Sequence, residues 1–325
     1  MAMAIRVHRT GGPEVLTWEN VDVGDPGPGE ARIRHSAIGL NFIDTYFRSG
    51  LYPAPTGLPF IPGNEGAGVV EAVGEGVSHV AVGDRVAYAG GLGAYAQARV
   101  MPAGGLVKVP EGVSDDEAAA MMLKGMTARY LLRSTFRIGP ETTLLFHAAA
   151  GGVGSIAGQW ARKIGATSIG TVSSDEKADR ARANGYTHVI NYKTENFVDR
   201  VKEITGGKGC DVVYDSVGKD TFPASLDCLR PLGMWVSFGQ SSGALPDVNL
   251  GILAHKGSLF ATRPTLFSYV AERADLEETA NDLFSVVANG DVKIEVNQTY
   301  ALQDAQKAHE DLEGRRTTGQ TVLKP

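Results

Sequence analysis

The chain has 325 residues, which at roughly 100 to 200 residues per compact domain predicts two domains. Hydrophobic residues make up 43% and charged residues 21%, as in an ordinary globular protein; the formal charge of -6, with no Lys/Arg run, excludes a general duplex-binding face but leaves room for one cationic phosphate pocket. Two cysteines, Cys210 and Cys228, are too few for a disulfide framework or a cysteine-rich zinc lobe, and no run is apolar and long enough to span a bilayer.

The first ten residues lack the apolar core of a signal peptide. Both cysteines read as small buried apolar residues. These features predict a reducing, cytoplasmic setting.

The first third of the chain is rich in Gly and Pro, with short β-like runs at 31–37, 67–73 and 85–89. Pro26-Gly27-Pro28-Gly29 and Val82-Gly83-Asp84 separate them as turns, so this part reads as a small β domain. Ser114-Asp115-Asp116-Glu117 starts a helix, with a capping Ser and acidic residues that suit the helix dipole. Helix is expected over 118–123 and again over 127–136.

From Thr143 strand and helix alternate. Strands are expected at 143–146, 168–172, 212–214, 234–238 and 259–261. Helices are expected at 153–164, 175–184, 197–205 and 221–229. This order predicts parallel strands with right-handed crossovers, hence a doubly wound sheet. A long helix at 274–289 and a β-rich tail at 292–322 complete the chain. The tail resembles the first third and is expected to fold back onto it, so that the nucleotide domain is an insertion.

Phe146-His147-Ala148-Ala149-Ala150-Gly151-Gly152-Val153-Gly154 follows a strand and opens a helix, the position of a dinucleotide phosphate loop. Gly151 is read as the tight turn, Gly152 as the point of approach to a pyrophosphate, and Gly154 as the close helix contact. Ala149 stands where the first motif glycine belongs. His147 reads as a hydrogen-bonded structural residue.

The second strand ends Gly170-Thr171-Val172-Ser173-Ser174, without the carboxylate that binds a ribose 2′-hydroxyl in NAD sites. Ser173, Lys177 and Tyr192 together favour a 2′-phosphate, and so NADPH. Taken singly, Ser173 and Ser174 are also good helix caps, Lys177 is also a solvated lysine, and Asp175 is a late candidate for the missing acid.

Catalytic zinc would need Cys, His or carboxylate ligands. Asn41 stands in Gly39-Leu40-Asn41-Phe42-Ile43-Asp44 and Asn64 in Pro62-Gly63-Asn64-Glu65-Gly66, and the seven histidines are scattered. No metal is expected.

The chain resembles the zeta-crystallin-like quinone oxidoreductases, the zinc-free branch of the medium-chain dehydrogenase/reductase superfamily. The resemblance rests on Asn41-Phe42-Ile43-Asp44-Thr45-Tyr46-Phe47-Arg48-Ser49-Gly50-Leu51-Tyr52-Pro53, residues 63–74, Leu123-Lys124-Gly125-Met126-Thr127, the glycine loop, Val213-Tyr214-Asp215-Ser216-Val217-Gly218, Ser237-Phe238-Gly239-Gln240-Ser241-Ser242-Gly243 and Thr262-Arg263-Pro264. Asn41 and Asn64 replace the Cys and His of zinc-containing relatives.

The resemblance implies an α/β fold: a Rossmann-type doubly wound parallel sheet, 125–263, inserted in a β-rich GroES-like catalytic domain, 1–124 plus 264–325. It also implies a homodimer formed by sheet edges. By carry-over, Thr127 lies beside the nicotinamide, and Gly151, Gly152, Val153 and Gly154 hold the pyrophosphate. Ser216, Phe238, Gly239, Ser241, Thr262, Arg263 and Pro264 line the rest of the NADPH groove, with Asn41 and Arg315. Arg315 also reads as a surface residue beside Arg316.

The implied activity is zinc-independent transfer of reducing equivalents from NADPH to a quinone-like acceptor. Asn41, Tyr46 and Tyr52 are the candidate donors to the oxygen that gains charge; for the tyrosines, half-buried packing is the other reading. Two alternatives stand beside this one: an enone or alkenal double-bond reductase of the same superfamily, and an NADPH-binding structural or RNA-binding protein with little turnover.

Overall fold

A computed structural model describes residues 1–325. In chain order the first elements are β1 (Ala2–Val7), β2 (Leu16–Val21), β3 (Glu30–Gly39), α1 (Phe42–Ser49), β4 (Glu65–Val73), β5 (Arg85–Ala89), β6 (Ala98–Pro102), β7 (Val107–Lys108) and α2 (Asp115–Tyr130). Alternation then sets in: β8 (Thr143–Phe146), α3 (Gly152–Ile164), β9 (Thr167–Val172), α4 (Asp175–Ala183), β10 (His188–Asn191), α5 (Phe197–Ile204), β11 (Cys210–Asp215), β12 (Leu229–Ser237), α6 (Gly251–His255), β13 (Phe260–Thr262) and α7 (Leu266–Tyr269). The chain closes with α8 (Arg273–Ala288), β14 (Val296–Ala301), α9 (Ala305–Glu313) and β15 (Gln320–Lys324).

The chain forms two compact units. One comprises Met1–Met126, Val270–Ala288 and Ile294–Pro325; the other comprises Thr127–Tyr269 and Asn289–Lys293. In the first, a sheet runs β14-β15-β3-β4-β5-β7, with β6 also on β3 and a separate β1-β2 hairpin. Strand β3 shows why it sits centrally: Ala31, Ile33 and His35 alternate inward, while Arg34 points outward to Glu71 at 3.2 Å. The core beneath gathers Ile5, Ile33, Ile38, Val86, Leu106 and Leu323. Each such side chain contributes about 1.5–3 kcal/mol on burial. Strand β15 pairs antiparallel to β3, Val322 opposite Gly39, which ties the end of the chain to its beginning.

The second unit holds six parallel strands in the order β10-β9-β8-β11-β12-β13. The order reverses between β8 and β11, so the crevice at their carboxyl ends is where such sheets bind ligands. Leu145, Ile169, Ile190, Val213 and Trp235 fill one side of the sheet.

Three sequence expectations need correction. Helix α2 is continuous rather than two runs; Gly125 does not interrupt it, because a Cβ there would overlap Leu283, so packing requires the glycine. Its end widens into a π-turn over Leu131–Thr135, and the Tyr214 hydroxyl donates to the Leu131 carbonyl at 3.0 Å. The helix expected at 221–229 is only a short 3₁₀ turn, Ala224–Cys228, since the hydroxyls of Thr221 and Ser225 turn inward to Asp215. The tail is not purely β: α9 lies between β14 and β15, with Ala305, Ala308 and His309 on its buried face.

Candidate active site

The glycine loop of the second unit is anchored to its neighbours at both ends. His147 N–H donates to the Tyr214 carbonyl and Ala149 N–H to the Thr171 carbonyl, each at 3.0 Å. The tight turn falls on Ala148 at φ +55, not on Gly151, which has φ −83 and is the N-cap of α3. A non-glycine residue in the left-handed region at this loop stores strain, which is common at ligand sites. Gly154 matters for the reason expected. A Cβ there would stand 2.5 Å from the Ala148 carbonyl and 2.8 Å from the Ala149 Cα, so only glycine lets α3 start against the loop. The N-terminus of α3 thereby presents backbone N–H groups and a positive dipole end. That cradle suits a pyrophosphate.

At the tip of β9, Ser174 caps α4 and its hydroxyl accepts from the Lys177 N–H at 3.3 Å. Asp175 is engaged elsewhere, accepting from Asn191 Nδ2 at 2.8 Å. Lys177 and Ser173 are half-buried, and Tyr192 is exposed beside the Lys193 ammonium. The chemistry here is hydroxyl and cation, which fits a phosphate better than a ribose hydroxyl.

The loops after β11 and β12 meet each other. Phe238 N–H donates to the Asp215 carbonyl at 2.9 Å and Ser241 N–H to the Ser216 carbonyl at 3.1 Å. Gly239 lies so close to Ser216 that a Cβ would stand 2.6 Å from its carbonyl oxygen. Arg263, just past Thr262 and ahead of Pro264, donates to the carbonyls of Ser237 (2.9 Å) and Gly239 (2.7 Å). Thr127 is buried on α2. Arg315 occupies a left-handed turn after α9, exposed, next to Arg316, which pairs with Asp311.

His147 is more than an isolated structural residue. Thr171 Oγ1 lies 2.9 Å from its Nδ1, and Ser225 Oγ lies 3.0 Å from its Nε2. Ser225 donates on to Asp215 at 2.9 Å. Burial pushes the His147 pKa down. Burial works against the Asp215 charge, but His147, the Gly218 N–H and the Thr221 hydroxyl hold its pKa below the usual range. The network joins the carboxyl ends of β8, β9 and β11.

In the first unit Asn41 caps α1, and its N–H donates to Asp44 Oδ2 at 2.9 Å. Asn41 Nδ2 donates to Glu65 Oε1 at 2.8 Å, and Lys124 reaches the same oxygen at 2.5 Å. Asn64 Nδ2 donates to Asp44 Oδ1 at 2.7 Å. The rings of Tyr46 and Tyr52 meet edge to face with centroids 5.3 Å apart. Both are half-buried, and Tyr52 N–H donates to the Tyr46 carbonyl at 3.0 Å.

Sequence reading passed over the side chains behind these residues. Tyr95 donates to Asp44 Oδ2 at 3.0 Å; His309 stands 3.0 Å behind Tyr95, and Arg48 3.1 Å behind His309. Burial raises the Asp44 pKa to about 6, against the donors from Asn64, Asn41 and Tyr95. Burial, with Arg48 beside it, lowers the His309 pKa to about 3. No local motif marks these positions: His309 falls in the tail read as β-rich, and Tyr95 in a Gly- and Ala-rich run. No group of three or more His, Cys, Asp or Glu side chains is arranged to hold a metal ion.

A β-rich unit with a capped, amide-bearing first helix, and a parallel sheet with a glycine cradle on its first strand, define an oxidoreductase of the medium-chain dehydrogenase/reductase class. Two family models match, "Alcohol dehydrogenase GroES-like domain" over residues 27–111 and "Zinc-binding dehydrogenase" over 152–285. The chain is 56% identical to a quinone oxidoreductase of Pseudomonas aeruginosa, with all of both chains covered. It matches the crystal structure of Escherichia coli quinone oxidoreductase complexed with NADPH at a TM-score of 0.98 and 52% identity, again over both whole chains. A 2-haloacrylate reductase of Burkholderia is 49% identical, covering all of this chain and 99% of that one. The chain belongs to the quinone oxidoreductase family.

Proposed function

We propose that this protein is an NADPH-dependent quinone reductase that works without zinc. The observation that carries the reading is the full-length match to a quinone oxidoreductase solved with NADPH. The glycine cradle and the carboxylate-free tip of β9 support the cofactor. When bound, NADPH supplies the reducing equivalents. Gly151, Gly152, Val153 and Gly154 hold its pyrophosphate on the α3 N-terminus; Ser173, Lys177 and Tyr192 hold the 2′-phosphate. Thr127 and the loops at Ser216, Phe238–Ser241 and Thr262–Pro264 shape the remaining groove; Arg315 is the candidate for cofactor binding in the C-terminal segment. The domain assignment in this reading is 1–124 plus 264–325 for the catalytic part and 125–263 for the cofactor part.

A quinone gains negative charge on oxygen as it is reduced. Asn41, Tyr46 and Tyr52 donate hydrogen bonds to that oxygen. Zinc independence is supported by the donor set: the amides of Asn41 and Asn64 are poor zinc ligands, and both already donate to carboxylates. A homodimer belongs to the same reading. Its support is β13, an outer strand of the sheet that exposes Phe260. A cytoplasmic location is supported by two unpaired, buried thiols; in addition, no helix is long and apolar enough to cross a membrane.

The test is NADPH oxidation by purified protein against simple benzoquinones and naphthoquinones on one side and 2-haloacrylates and enones on the other. Quinone turnover with the higher kcat/KM is expected. Turnover of the unsaturated acids or enones alone would instead assign the double-bond reductase activity, which the 49% identical relative represents.

A further inference from the structure

We propose that Tyr95 and His309 are positioning residues for the acceptor site: they transmit the positive charge of Arg48 to Asp44 and thereby fix Asn41. This rests on the reading above, in which Asn41 donates to the acceptor.

Two carboxylates clamp Asn41. Glu65 takes its side-chain amide, and Asp44 takes its backbone N–H. The two are neutralised differently. Glu65 is in direct contact with the Lys124 cation and also accepts the Leu123 N–H at 2.6 Å. Asp44 is fully buried and touches only neutral donors: the Asn41 N–H, the Asn64 amide and the Tyr95 hydroxyl. A buried carboxylate without a cation is costly. A cation stands three links away. Arg48 is itself buried, held by Glu313 through two bonds of 2.9 and 2.7 Å, and its NH1 faces His309 Nδ1 at 3.1 Å.

The chemistry of that contact assigns every proton in the chain. A guanidinium only donates, so His309 Nδ1 must be the bare, accepting nitrogen. The imidazole proton therefore sits on Nε2 and is donated to the Tyr95 oxygen at 3.0 Å. The Tyr95 hydroxyl proton is then free to go to Asp44 Oδ2, also at 3.0 Å. All donors point one way, from Arg48 to Asp44. In a low-dielectric interior such a chain polarises along its length. The opposite imidazole tautomer would set two donors face to face at Arg48.

The backbone makes room for this chain. Gly63 has φ +94, and a Cβ there would overlap the Tyr95 ring. Gly39 lies beneath the Glu65 carboxylate, where a Cβ would overlap its oxygen.

The experiment compares Asn41→Ala, Tyr95→Phe, His309→Leu and His309→Gln with the unaltered protein. kcat and KM for a benzoquinone, NADPH affinity by fluorescence titration, and Tm are measured for each. Tyr95→Phe and His309→Leu should lower kcat about tenfold, the scale of one hydrogen bond to a charged group, with NADPH affinity kept within about twofold. His309→Gln should recover most of kcat, because a glutamine accepts at one atom and donates at the other as the imidazole does. Equal losses in His309→Leu and His309→Gln would make His309 a volume filler and overturn the proposal. So would an unchanged kcat in Tyr95→Phe alongside a loss in Asn41→Ala. If Asn41→Ala itself changes neither kcat nor KM, the role of Asn41 fails first and the relay falls with it. Imidazole ¹⁵N spectra of the unaltered protein give a check that needs no variant. Nδ1 of His309 should be unprotonated and Nε2 protonated at neutral pH, and the reverse tautomer refutes the relay.

Discussion

Lys177→Ala isolates the 2′-phosphate from the rest of the cofactor. Lys177 stands in the first turn of α4, three residues past the Ser174 cap, and its own N–H is already given to Ser174 Oγ at 3.3 Å. That backbone bond is unchanged by the substitution, and alanine is the best helix former, so α4 should persist. What is removed is a half-buried ammonium. A charge-assisted hydrogen bond is worth about 1.5–3 kcal/mol, or roughly ten- to a hundredfold in Kd. The exposed carboxylates of Asp175 and Glu176 in the same turn, and the solvent around them, argue for the lower half of that range. NADH lacks the phosphate, so its Kd should barely move. Paired fluorescence or calorimetric titrations with NADPH and NADH, on both proteins, measure the difference directly. An equal loss for the two cofactors would refute the reasoning, because the lysine would then serve the fold or the pyrophosphate. No loss for either would leave it as a solvated lysine.

Exhaustive chelation should leave quinone turnover intact; stoichiometric zinc removed together with activity would contradict the zinc-independent reading. Phe260→Lys on β13 should shift a dimer toward monomer by light scattering, whereas a unaltered protein that is monomeric at micromolar concentration would remove the basis for the test. Stability should fall on acidification: His35 and His309, both lowered to about 3 mainly by burial, contribute stability that is fully present above an ordinary histidine pKa of about 6.5 and lost as pH drops toward 3. Asp44, raised to about 6 by burial, acts in the opposite sense between about pH 4 and 6, so denaturant titrations should show the loss deepen below that window; a flat profile would contradict the buried neutral histidines.

The nucleotide unit was legible because its signals are local. β8, α3, β9 and α4 follow from apolar runs and caps within a few residues of each other; in the other unit, Ser114 with Glu117 forms a capping box by the same local logic. What failed there failed for tertiary reasons. The run 221–229 has helical composition, yet Asp215, some residues earlier, captures the hydroxyls of Thr221 and Ser225 and shortens it to one turn. In the other unit, Gly125 looks like a helix break until Leu283 is placed against it. The turn of the phosphate loop was assigned to a glycine because left-handed backbone usually needs one, and Ala148 took it instead.

The proposed acceptor side is marked in the sequence only by its end points. Asn41, Tyr46 and Tyr52 lie within a dozen residues around α1, so a motif can mark them. What holds Asn41 in place is not local: Tyr95 lies 51 residues from Asp44 in sequence, and His309 lies 214 residues from Tyr95. No spacing rule links such positions. At Gly63 the turn itself needs glycine, with φ +94, and at Gly39 the Ala119 carbonyl as well as the Glu65 carboxylate leaves no room for a Cβ, so neither glycine points to this chain of side chains by itself. Asp44 and Glu65 accept from the amides of Asn64 and Asn41 and from Lys124. In the proposed reading that frame, reaching back to Arg48, makes Asn41 a precise donor rather than a mobile one.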